Sequence, residues 1–196
     1  MKKKKYLIIS ILTVLFISFN NIFAYGVQSF TPSPLRGQEK SNWCWAAVTQ
    51  TLIETKGYWK TQGQLATCIF GYEKNEGATA AQLATAAKWG TGYALQYDVT
   101  NASLPFSGSL SVVSSINNGW AVASGLATSY GGHMVVLTGY DTSNSRVWLQ
   151  DPQGNTNTFP AKGYETWTTY NSLITGNYTG TNFSYLQYYK WIQSVN

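Results

Sequence analysis

A thiol and an imidazole together make a nucleophile and its base, and this sequence has few of either: Cys44, Cys68 and a single histidine, His133. A cysteine attacks as its thiolate, which the start of a helix favours because unpaired N–H groups and aligned peptide dipoles stabilise negative charge there. Cys44 stands in such a place, between Trp43 and Trp45 at the head of the segment WCWAAVTQTLIETK. An imidazole must accept the thiol proton and later return one to a leaving group. With no competitor in the chain, that work falls to His133. Two glycines, Gly131 and Gly132, precede it at the mouth of a strand whose next residues, Met134 to Val136, read as core.

A third group must hold the imidazole in the useful tautomer and stabilise its charged form. Asp151 fits best, because it ends the strand that follows the His133 strand and Pro152 stops that strand at once. An Asp-Pro pair is also an ordinary turn initiator. Asp141 and Asp98 are weaker candidates: Asp141 falls in the intervening turn at the far end, and Asp98 has no evident partner. Acyl transfer also needs a donor aimed at the developing oxyanion, and Gln38, six residues ahead of Cys44, could join the Cys44 N–H in that task. Two cysteines in an exported chain also admit a Cys44–Cys68 disulfide. Such a bond would consume the most reactive group present, so Cys68 is read as a small buried apolar residue.

The elements that must carry these groups can be read from period and punctuation. Ala47, Val48, Thr51, Leu52 and Thr55 recur at helical spacing and predict a helix over 43–56 with one buried face. Gly57 stops it, and Ser41 and Asn42 offer caps. A shorter helix is expected over 62–69. A third runs from a Thr79 cap to Trp89 and buries Leu83, Ala84 and Ala87. The pattern then turns strand-like at 94–99, with a connecting helix over 110–118 before the Asn-Gly signal. Strands follow at 120–126, 132–140 and 146–151, the last two a hairpin through 141–145. A short helix around 164–173 and an aromatic strand over 184–191 close the chain. The expected class is α+β: an N-terminal helical part, with the cysteine at a helix start, packed on a C-terminal antiparallel sheet as two layers meeting along one seam.

Residues 1–24 read as a secretory signal peptide. Lys2 to Lys5 precede the apolar run Tyr6 to Phe19, too short for a confident membrane span, and the segment ends Ile22-Phe23-Ala24 with a small residue at the expected cleavage point. Residues 25–37, with Pro32, Pro34 and Gly37, read as an extended lead-in to one domain over 38–196. Thirteen basic residues stand against eight acidic ones, but Lys2 to Lys5 account for almost the whole excess. The exported chain is nearly neutral, which gives no support to nucleic-acid binding or to stable membrane association once the signal is gone.

The run from Gln38 to Ala47, with Gln six residues before Cys44 and Trp and Ala after it, resembles the active-site segment of papain-like cysteine peptidases. The Gly131–Asp141 segment resembles that superfamily's histidine strand. The Trp148–Gly154 segment resembles the one after it, with Asp151 in the role that papain gives to an asparagine. Closest in flavour are the compact bacterial peptidase C39-like and AvrRpt2-like (C70) proteins. The resemblance covers about residues 36–154 and implies a papain-like fold, a Cys44, His133 and Asp151 triad, Gln38 as oxyanion donor, a protein or peptide substrate, and no metal or organic cofactor. Ser41 replaces the cysteine of the papain signature. His133 and Asp151 follow Cys44 by only 89 and 107 positions, against about 130–150 in papain, so the loops that shape papain's cleft must be shortened. Substrate preference therefore does not carry over. The sequence leaves open a peptidase, an amidase or transpeptidase on cell-wall peptides, and a non-catalytic secreted binding or toxin module on the same fold.

Overall fold

The computed structural model describes residues 28–31, 33–98, 106–108, 111–128, 131–154, 157–174 and 186–191. The expected signal segment lies outside them. In chain order the elements are β1 (Gln28–Phe30), α1 (Cys44–Glu54), α2 (Gln62–Phe70), α3 (Ala80–Thr91), β2 (Leu95–Asp98), α4 (Val112–Asn117), β3 (Val122–Thr128), β4 (Gly131–Asp141), β5 (Arg146–Asp151), β6 (Tyr164–Thr169), α5 (Tyr170–Ile174) and β7 (Leu186–Trp191).

Helices α2 and α3 begin alike. Thr61 and Thr79 accept the N–H of Gln64 and Gln82, and each glutamine side chain returns to the cap's N–H. Both end on a glycine in the left-handed conformation, Gly71 and Gly92. Helix α1 departs from expectation. It is buried from Trp45 to Ile53 rather than along one face, because α2 and α3 cover it on one side and the sheet on the other. Even its polar residues Thr49, Gln50 and Thr51 are buried, so the helix is enclosed all round.

The antiparallel sheet orders β2-β7-β3-β4-β5-β6, with β1 added to β4. β3 takes one edge of β4 from Gly131 to Leu137, and β1 takes the same edge from Gly139 to Asp141. The lead-in is thus extended, as expected, but its residues 28–30 are a strand of the sheet. Nor are there two layers. β4 carries an unbroken apolar run, the mark of a strand covered on both faces, and its alternate residues divide between two cores. Met134 and Val136 join Trp43, Trp45, Val48 and Leu52 of the α1 side. Val135 and Leu137 join Val112, Ile116, Leu149, Tyr170 and Leu173, contributed in part by α4 and α5 on the opposite face.

The helix expected around 164–173 is mostly strand. Tyr164–Thr169 is rich in threonine and aromatic residues and pairs along its whole length with β5, leaving only α5 helical. Asp98 ends β2 at the sheet edge, separated from β4 by β7 and β3.

Candidate active site

The β4–β5 register brings His133 and Asp151 together. Val136 pairs with Gln150, so Asp151, the last residue of β5, and His133, near the start of β4, come to the same end of the two strands. The His133 Nε2 lies 2.8 Å from Asp151 Oδ1. That oxygen also accepts the N–H groups of Gln153 at 2.9 Å and Gly154 at 3.1 Å. Asp151 therefore both initiates a turn and faces the imidazole, and the turn locks its carboxylate in place. Cys44 acts on the same ring from the head of α1, adding to the pull of Asp151.

Burial opposes protonation of His133. Hydrogen bonding and charge attraction from Asp151 and Cys44 outweigh it, and the ring is pushed up to about 10. The site is thus arranged to hold a proton on the imidazole.

Cys44 is half-buried at the first position of α1. The expected caps are not made: Trp43 is the N-cap residue and no side chain caps the helix. Asn42 and Ser41 instead bond Asn75. The consequence is chemical, since the N–H groups of the first turn stay clear of capping oxygens and can face an anion.

Gln38 is fully buried. Its Nε2 donates to the carbonyls of Ser41 at 2.9 Å and Lys40 at 3.1 Å, bracing the turn into Cys44. Lys40 O also accepts the Trp43 N–H, so that carbonyl stays satisfied if Gln38 releases it. The Gln38 N–H donates to Pro152 O, and its carbonyl accepts from the Ala161 N–H, which ties it to the turn that follows Asp151. Gly37 permits this close approach, because a Cβ there would lie 1.8 Å from Ala161 O.

The other candidates fall elsewhere. Asp141 is buried at the hairpin end of β4, where Ser143, then Arg146 and Asn144, hold its carboxylate far below the usual range. Cys44 and Cys68 are free thiols. Cys68 is half-buried rather than a core residue, and burial pushes its thiol up, away from reactivity.

Sequence reading missed residues 73–76. This segment is laced along the approach to Cys44: Lys40 Nζ donates to Glu73 O, the Asn42 N–H to Asn75 Oδ1, and the indoles of Trp43 and Trp45 to Lys74 O and Glu76 O at 2.8 and 2.9 Å. A lone polar stretch with no period gives no sign of this. The two buried indoles, each needing an acceptor, were the available clue.

Residues 27–189 match the model of the Peptidase C39-like family. A search of curated protein sequences finds no match. Among solved structures, the chain is similar to a protein assigned as a C39-like peptidase from Bacillus anthracis. The TM-score is 0.56 at 15% identity, over 85% of this chain and 98% of that one. The peptidase domain of Streptococcus ComA, a bifunctional ABC transporter involved in a quorum-sensing pathway, gives 0.57 at 15% identity, over 83% and 100%. A double-glycine-motif protease from an AMS/PCAT transporter, in complex with the leader peptide, gives 0.50 at 15% identity, over 85% and 99%. At that identity the three speak for the fold.

Proposed function

This chain belongs to the Peptidase C39-like family and is a cysteine peptidase of papain-like fold, and from that premise we propose that it is a secreted enzyme hydrolysing peptide bonds through an acyl-thioester on Cys44. The observation that carries the reading is the ring of His133, bonded to Asp151 through Nε2 and influenced by Cys44 as well. The Cys44 thiolate attacks the scissile carbonyl carbon, and an S–C bond forms as the carbonyl oxygen becomes an oxyanion. The Cys44 N–H and Gln38 stabilise that charge. Gln38 supplies its hydrogen by giving up the longer bond, to Lys40, since catalytic hydrogen bonds tighten when substrate arrives. The imidazolium then protonates the leaving amine as the C–N bond breaks. Water, deprotonated by the neutral ring, attacks the acyl carbon; the C–S bond breaks, the acid leaves, and sulfur and ring together recover the proton taken from water.

Asp151 orients the ring and supports its positive charge. The substrate is a protein or peptide, and the protein complexed with a leader peptide favours an extended segment in the cleft. Export through a signal peptide removed after Ala24 completes the reading. It is supported by Lys2 to Lys5 and the apolar run after them, and by a family match that starts only at residue 27.

A thiol-directed epoxide inhibitor is expected to label Cys44 stoichiometrically and to stop cleavage of denatured casein. Wild type that is neither labelled nor active would sink the reading. Exclusive action on peptidoglycan fragments would redirect it to an amidase.

The His133 shift makes a second prediction. The ring keeps its proton until pH rises through about 10, so kcat/KM falls on the alkaline side near that value, as a property of the sulfur–imidazole pair. Asp151→Asn removes the attracting charge, so the ring releases its proton sooner and this limb moves down by about 1–2 pH units. An unmoved limb in the variant would remove Asp151 from the assigned role.

A further inference from the structure

We propose that Gln62 is the positioning residue of the oxyanion arm, fixing the backbone on both sides of Gln38. The proposal rests on the reading of Cys44 and Gln38 just given. Gln62 is the first residue of α2 and only 2% exposed. Its Nε2 donates to Gly37 O at 2.8 Å, and its Oε1 accepts the Glu39 N–H at 2.9 Å. One primary amide thus makes the two bonds that a neighbouring strand would make to the residues flanking Gln38. The orientation is dictated, because a flipped amide would set carbonyl against carbonyl and N–H against N–H.

The remaining Nε2 hydrogen goes to Gln50 Oε1 at 3.3 Å, and Gln50 belongs to α1, the helix that begins with Cys44. Gln38 itself faces the other way: its N–H and C=O bond Pro152 and Ala161. In extended backbone, alternate residues offer their hydrogen-bonding groups to opposite sides. The Gln38 segment is therefore held on one edge by the turn after Asp151 and on the other by Gln62. Through Gln50, the Gln62 amide joins the oxyanion segment to the nucleophile's helix. Resistance to misplacement is what such a clamp supplies, and a shift of about 1 Å in a positioned group costs on the order of 100-fold in rate.

The test uses Gln62→Ala and Gln62→Glu with three readouts: steady-state cleavage of a quenched fluorescent peptide that wild type accepts, alkylation of Cys44 by iodoacetamide, and inhibition by an aldehyde of the same peptide. Alkylation needs the nucleophile and no oxyanion hole, whereas the aldehyde adduct needs both. In Gln62→Ala, kcat is expected to fall about 100-fold with KM changed less than about three-fold, the aldehyde to weaken in parallel, and alkylation to proceed at the wild-type rate. A protonated glutamic acid can still donate to Gly37 O and accept from the Glu39 N–H. Gln62→Glu is therefore expected to stay close to wild type at low pH and to lose activity as its buried carboxyl ionises, on a limb below the wild-type one near 10.

Retention of kcat within three-fold by Gln62→Ala would overturn the proposal. So would an equal loss of alkylation, which would make the role one of support for Cys44. If Gln62→Ala melts too low for assay, Gln62→Glu decides: an alkaline limb identical to wild type overturns it. Wild type that neither alkylates nor cleaves fails the thioester reading instead, and that failure is visible before any variant is made.

Discussion

Cys44→Ala is expected to lower kcat/KM by about 10⁵–10⁶-fold while leaving the fold intact. No other group can take over. The Cys68 thiol is pushed up by burial, and Cys44 is the one thiol that acts on His133 among the described residues. Alanine is the best helix former and Cys44 is only half-buried, so α1 should start as before and the melting temperature should hold. His133→Ala is expected to cost a similar factor, because a thiol without its base presents little thiolate at neutral pH. The informative variant is the double one. Groups that act as a unit are grossly non-additive, so Cys44→Ala with His133→Ala should be no slower than either alone. Progress curves on one peptide at neutral pH, with thermal melts of all three variants, give the answer. Losses that multiply would mean that the residues act separately.

The second large effect is on stability. Trp45→Ala is expected to cost about 3–5 kcal/mol, enough to lower Tm by on the order of 10 °C. The indole is 1% exposed, meets Phe70 edge-on with ring centroids 6.1 Å apart, and donates to Glu76 O. Truncation opens a cavity between α1 and α2 and removes one of the ties that hold the 73–76 segment. Trp45→Phe separates the two contributions. It keeps much of the volume and loses the hydrogen bond, whose net worth is about 0.5–1.5 kcal/mol. Urea melts of the three proteins check the ordering. A phenylalanine variant as unstable as the alanine one would mean that the tether to Glu76, rather than packing, holds the helix head.

The meeting of Cys44, His133 and Asp151 was legible because each stands at a boundary: a helix start, a strand mouth and a strand end. The hairpin between the last two is short, so strand pairing alone carries Asp151 back toward His133. The clamp around Gln38 was not legible. Gln50 and Gln62 look like ordinary polar helix residues, and their burial depends on where α2 lands against α1, which no local pattern encodes. The cap at Ser41 and Asn42 was misread for a related reason: Asn75, 34 and 33 positions on, bonds the same two residues. β6 was missed because Tyr164 to Thr169 has no period-2 alternation and sits in a Gly- and Asn-rich context. Pairing with β5 overrides that local preference. The second core face was implicit in the unbroken Met134–Leu137 run, which only a strand covered on both sides would carry.

The path of the lead-in has a practical consequence. Gln28 pairs with Asp141, and the chain then runs back along the sheet until Gln38 meets Pro152. Residue 28 therefore lies at the pole opposite the cleft, the length of β4 from His133, about 26 Å at the rise of a strand. A purification handle or a linker to a bead joined ahead of that residue projects away from the catalytic groups. Attached by its amino end, the enzyme would meet large substrates face outward.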